Sequence, residues 1–161
     1  IDSYSEALRL MQGVSPDVMH NLACVYESQQ RFELAIKWFD MVIQTDPDNE
    51  ELLDSYYGAA LCYLKNGEPE EAIEKLSEAI ITLDNHEIKN RKWMFKYYFR
   101  YLRAICYRVS GEYKSAEKDY VAVKRHFDIQ EGTQYCRRIF AMIIMPNERD
   151  RRQLQKFVEQ F

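Results

Sequence analysis

The chain has 161 residues, 26 acidic against 22 basic side chains, a formal net charge of −4 and an apolar share of 47%. That length is enough for one domain with a sizeable core or for one array of small units, and the negative balance argues against a general binder of nucleic acid or anionic membranes. No apolar run reaches membrane-spanning length, and the opening IDSYSEALRL has no basic-then-apolar signal layout. It carries no initial Met and starts inside a helical pattern, which reads as a piece of a longer, cytoplasmic protein.

In chain order, Tyr4, Ala7 and Met11 recur at helical steps and read as the second helix of a truncated unit over 1–15. A first full unit spans 16–49, with VMHNLACVYESQQRFELAIKWFDMVIQTDP at its centre. A second spans 53–86. Tyr56, Ala59, Ala60 and Tyr63 mark one face of its first helix, and Ala72, Leu76 and Ala79 mark one face of its second. Between them Gly67 suits the positive φ that ends a helix, and Pro69 suits the first turn of the next. Small residues on both stripes allow close approach, so the unit is predicted to be an antiparallel helical hairpin. Tyr63 follows Tyr26 by 37 residues and Ala72 follows Ala35 by the same 37, so the unit repeats.

A third copy spans 88–130, where Ala104, Tyr107, Gly111, Tyr113, Ala116 and Tyr120 keep the pattern and Tyr107 follows Tyr63 by 44 residues. The helical period of DNHEIKNRKWMFKYYF runs straight into it, which predicts an over-long first helix from about Ile88 to Val109. Residues 131–161 read as a degenerate unit or a capping pair, with Leu154, Phe157, Val158 and Phe161 as an apolar stripe that closes the open end. No segment alternates as a strand does.

Leu22, Ala23, Tyr26, Ala35, Phe39 and Pro47 fall, counted from Pro16, at the Leu, Gly/Ala, Tyr, Ala, Phe and Pro offsets of one family. The chain thereby resembles the tetratricopeptide-repeat family. The resemblance implies an all-α fold, a right-handed α-solenoid of stacked antiparallel helical hairpins. It implies a non-catalytic scaffold or adaptor that binds a peptide or helix of a partner protein in its concave groove. The side chains that would face that groove include Asp17, His20 and Asn21 in the first copy, with Cys24 beside them. Tyr57 and Lys65 follow in the second, and Tyr98, Tyr101 and Arg108 in the third, where Leu102 and Ile105 are either groove or core. The Lys/Asn/Arg clamp by which co-chaperone members hold a terminal carboxylate would fall on His20, Cys24, Gly58, Tyr98 and Leu102, and none matches.

Arg103 stands where the family has Leu. A guanidinium between packed helices needs a partner, and Asp119, one residue before Tyr120, is the one the hairpin offers. Lys89, Lys92, Lys96, Arg100 and Arg103 also recur at steps of 3, 4, 4 and 3, a basic stripe that would suit an acidic partner or, in a second reading, RNA. A third reading is a scaffold segment that associates with itself, as a homodimer. Phosphate-loop, nucleophile-elbow and zincin motifs are missing, and the three histidines and the cysteines Cys24, Cys62, Cys106 and Cys136 lie too far apart for metal-site spacings. No cofactor, metal or catalytic residue is expected, and the thiols read as reduced and buried.

Overall fold

The computed structural model of the chain describes residues 13–45, 48, 51–85, 93–124, 152 and 156. Among these it holds six α-helices and no strand: α1 Pro16–Ser28, α2 Phe32–Thr45, α3 Leu52–Lys65, α4 Pro69–Asn85, α5 Trp93–Ser110 and α6 Tyr113–Lys124. Consecutive helices pack on each other, α1 on α2, α4 on α5 and α5 on α6, so the all-α repeat class read from the sequence stands. The truncated helix over 1–15 falls almost wholly outside the described residues, as does the start of the long helix before Trp93. The capping helices over 131–161 do too, save for Arg152 and Lys156, which are helical and exposed.

Three turns repeat one backbone device. After α1, Arg31 N–H donates to the Tyr26 carbonyl at 2.9 Å and Gln30 N–H to that of Glu27 at 2.9 Å. After α3, Glu68 N–H donates to Tyr63 O at 2.9 Å and Gly67 N–H to Leu64 O at 3.2 Å. After α5, Glu112 N–H donates to Tyr107 O at 2.8 Å and Gly111 N–H to Arg108 O at 3.3 Å. These paired bonds satisfy carbonyls that the helix end leaves open, and they require a left-handed residue just past it. Gly67 at φ 80° and Gly111 at φ 87° supply that residue freely. In the first hairpin the position belongs to Gln30 at φ 60°, where a side chain makes the conformation costly.

The chain divides into two compact units, 1–62 and 63–161, with the boundary inside α3. In the first, Met19 of α1 packs with Met41 and Val42 of α2, and Val14 and Trp38 flank them. Phe39, 1% exposed, brings the tip of its ring up to Gly58 of α3. A Cβ at Gly58 would stand 2.4 to 2.8 Å from three ring atoms, closer than contact allows, so the ring reaches the helix backbone only because residue 58 has no side chain.

In the second unit, Ala72, Leu76 and Ala79 of α4 are wholly buried, as are Phe99, Leu102, Ile105 and Cys106 of α5. On the apolar stripe of α5 the burial is complete at Phe99, Leu102 and Cys106, while Phe95 and Val109 at its ends are half-buried. Tyr101, Ala104 and Ile105 are buried as well, because α5 packs against both α4 and α6 and so hides more than one stripe. The expectation that Tyr101 presents its ring on an open face is therefore corrected: it is 1% exposed and, among the described residues, the largest fully buried side chain. Leu102 and Ile105 resolve the same way, as core.

Candidate functional site

The residues read as facing the groove divide by unit. On α1, Asp17 and Asn21 are exposed, together with Cys24, while His20 is half-buried. The acid is well set up to stay charged, because the Ser15 side chain and the backbone N–H of Asp17 itself hold its carboxyl below the usual range. His20 leans across to α3. Its Nδ1 is hydrogen-bonded to Ser55 Oγ at 2.9 Å, its Nε2 lies 3.5 Å from Cys24 Sγ and 3.8 Å from a Glu51 carboxylate oxygen, and its ring meets Phe39 edge-on at 5.4 Å.

Ser, His and Glu in contact invite comparison with a hydrolytic triad. Here Ser55 is 0% exposed, so its hydroxyl offers a substrate nothing to attack. The ring instead serves as a polar spacer that satisfies a buried hydroxyl between two helices. Beside it, partial burial and then the charges of Glu27, Glu51 and Asp54 push the Cys24 thiol up. Those carboxylates make the α1/α3 edge of this unit acidic. The sequence reading expected this thiol buried. It lies on the exposed side of α1, because the same wheel position that keeps it off α2 keeps it off the core. Cys62 and Cys106 are buried as expected, and burial pushes the Cys106 thiol up; Cys136 lies outside the described residues.

Further along, Tyr57 and Lys65 of α3 are half-buried. On α5, Tyr98 is half-buried with its ring edge-on to Phe95 at 6.4 Å, and Arg108 lies over the Tyr113 ring at 4.5 Å. Of the basic stripe, Lys89 and Lys92 lie outside the described residues. Lys96 is paired with Asp84 of α4, and Arg100 is half-buried. The described part of the stripe is therefore drawn partly inward and partly neutralised.

Arg103 leaves the stripe altogether. Its Nε donates to Asp119 Oδ2 at 2.6 Å and its Nη2 to Oδ1 at 2.8 Å, a two-pronged pair across α5 and α6 as the sequence predicted. Its remaining nitrogen, Nη1, donates to Ser77 Oγ of α4 at 2.9 Å, a third helix that sequence reasoning did not include. Asp119 is 5% exposed by side chain and Arg103 17%. Burial alone would lower the guanidinium's pKa, but the hydrogen bonds and charge of Asp119 more than offset it and hold it above its usual value. The pair is a structural tie that faces no open surface. Among the described residues no group of three His, Cys, Asp or Glu side chains is placed to hold a metal ion, and no helix is long and apolar enough to cross a membrane.

Successive helix pairs, each closed by the same turn, define a helical-hairpin repeat protein. Residues 14–80 match the family model described as Tetratricopeptide repeat, which supports the resemblance read from the repeat offsets. The match covers the first hairpin and most of the second, ending inside α4. The third, α5 and α6, shows the same turn bonds and packing beyond it. No curated protein matches the chain.

Proposed function

We propose that this chain is a non-catalytic interaction module that takes a peptide or helix of a partner protein on the open face of its first helices. Tetratricopeptide repeats mediate protein–protein interaction, which sets the class. The observation that carries the finer reading is the division of α1. Met19 and Ala23 are committed to packing, while Asp17, Asn21 and Cys24 remain exposed beside the acids Glu27, Glu51 and Asp54. A partner segment with basic side chains suits that edge, and Tyr57, Lys65, Tyr98 and Arg108 are further candidate contacts. Tyr101, being core, is not among them.

A photo-crosslinking residue placed at Asn21 tests the reading against the same residue at Lys37, exposed on α2 of the same unit. The expected result is a crosslinked partner from position 21 and none from 37. The captured segment, synthesised and titrated, then binds at least several-fold more weakly to D54N than to the parent chain. Capture from position 37 alone, or binding indifferent to D54N and E27Q, overturns the assignment to this face.

A further inference from the structure

The turns after α1, α3 and α5 share one backbone device, but the middle one pairs it with a reactive dipeptide. The residues there are Gln29 and Gln30 after α1, Asn66 and Gly67 after α3, and Ser110 and Gly111 after α5. Asn66 is the one asparagine of the chain that glycine follows. A carboxamide just ahead of a main-chain nitrogen can close a cyclic imide on it, and the Cβ of the following residue is what ordinarily obstructs that attack. Gly67 has no Cβ, and its φ of 80° is the reason the turn uses glycine there. The residue that closes the helix thus also bares the nitrogen beside Asn66, and both residues are exposed to water.

In the closed turn both reacting groups are already engaged. The Gly67 N–H, which must lose its proton before its nitrogen can attack, donates to Leu64 O at 3.2 Å. The Asn66 carboxamide is held by Glu68, its Nδ2 donating to Oε1 at 2.9 Å. Beyond Gly67, the Glu68 N–H donates to Tyr63 O at 2.9 Å and fixes the main chain on that side. We propose that Asn66 is a site of spontaneous modification, converted by water to aspartate and isoaspartate, which the closed turn restrains and its opening releases.

Water is the only co-reactant the step needs. The Gly67 nitrogen bonds to Asn66 Cγ, the Cγ–Nδ2 bond breaks, and ammonia leaves with the proton that the Gly67 nitrogen gave up. Water then opens the imide at either carbonyl, with no oxidation or reduction. Both products work against the turn. Aspartate at position 66 sets a carboxylate where a donor met Glu68, so two like charges face each other at hydrogen-bond distance. Isoaspartate carries the main chain through the former side chain and adds a methylene ahead of Gly67. The bonds to Leu64 O and Tyr63 O then no longer close together.

The test follows each asparagine of the intact chain by peptide mass spectrometry during storage at mildly alkaline pH, with the chain in urea as the open reference. In the folded chain Asn66 should convert at least about tenfold more slowly than in urea, because the reaction waits on local opening. In urea it should convert ahead of every other asparagine, and Gly67→Ala should suppress it there. Glu68→Ala frees the carboxamide and should speed conversion in the folded chain several-fold, with hydrogen exchange of the Gly67 amide at the parent's rate. The converted fraction, separated by its added negative charge, should melt below the parent. Equal rates in the folded chain and in urea overturn the inference, as does a converted fraction that melts with the parent. Slower conversion in E68A also overturns it, by making Glu68 a promoter of the reaction.

Discussion

The two units fasten their helices by opposite means. In the second, a charged side chain is drawn inward and fully engaged, Arg103 holding Asp119 with two nitrogens and Ser77 with a third. In the first, the polar link is an imidazole against a hydroxyl, half-buried His20 on Ser55, and the close contact is apolar, Phe39 on the bare backbone of Gly58. One fold therefore tolerates two solutions at the helix interface, provided that each buried polar atom is matched. The charged solution gives geometry and concentrates the risk in one pair. The apolar one depends on an absence, that of a Cβ.

The largest effect should come from breaking the charged tie. Asp119→Ala leaves a guanidinium between helices without its carboxylate and should cost about 3 kcal/mol in denaturant unfolding. Adding Arg103→Leu, which restores the family's residue, should return most of that loss, since an apolar replacement of a buried pair is often neutral or better. A single-variant loss below about 1 kcal/mol would show that the pair behaves as a surface ion pair. Next, Gly58→Ala should cost about 2 kcal/mol through overpacking, even though alanine favours the helix, because the buried Phe39 ring has nowhere to retreat. Phe39→Leu in the same chain should relieve part of it, and an unchanged G58A melting curve would remove the close approach from the comparison.

A gain is expected at Gln30. Its φ of 60° sits where the other two hairpins have glycine, so Gln30→Gly should stabilise the first unit by about 1 kcal/mol. Failure to stabilise would mean that the side chain of Gln30 compensates its own strain. The smallest effect is read in reactivity. With its thiol raised above the ordinary 9.0 by burial and by neighbouring carboxylates, Cys24 is the protonated thiol at neutral pH. Its alkylation rate should rise with pH later than that of a free thiol, and Glu51→Gln or Asp54→Asn should move the rise to lower pH. A rate profile identical to that of free cysteine would remove the acidic edge from around it.

The hairpins were legible in the sequence because their marks are local. Gly67 and Pro69 punctuate one turn, and the tyrosines at 26, 63 and 107 recur where the turn carbonyls are needed. Asp119 was legible because Arg103 broke the family's pattern and had to be answered within its own hairpin. Ser77 was not, since its reach to Arg103 depends on how α4 lies on α5, an offset that no spacing encodes. Tyr101 misled for a related reason: the helical wheel tells which way a ring points, but not whether something already stands there. For the candidate binding face, position alone selected Asp17, His20 and Asn21, while Glu51, just ahead of α3, lies outside the repeat positions and joined that face only in three dimensions.

The third nitrogen of Arg103 has a bearing on how such an array can change over time. Repeat proteins grow and shrink by copying or deleting whole hairpins, which works when each hairpin is complete in itself. Here the hairpin of α5 and α6 borrows a hydroxyl from Ser77, on the last helix of the hairpin before it. Excised and placed behind any other neighbour, it would carry a guanidinium proton with nothing to receive it unless a hydroxyl or carbonyl stood at the same place. The second and third hairpins should therefore travel as a pair through any recombination, and a graft of the third alone onto a foreign array should succeed only with serine or threonine supplied at the position of Ser77.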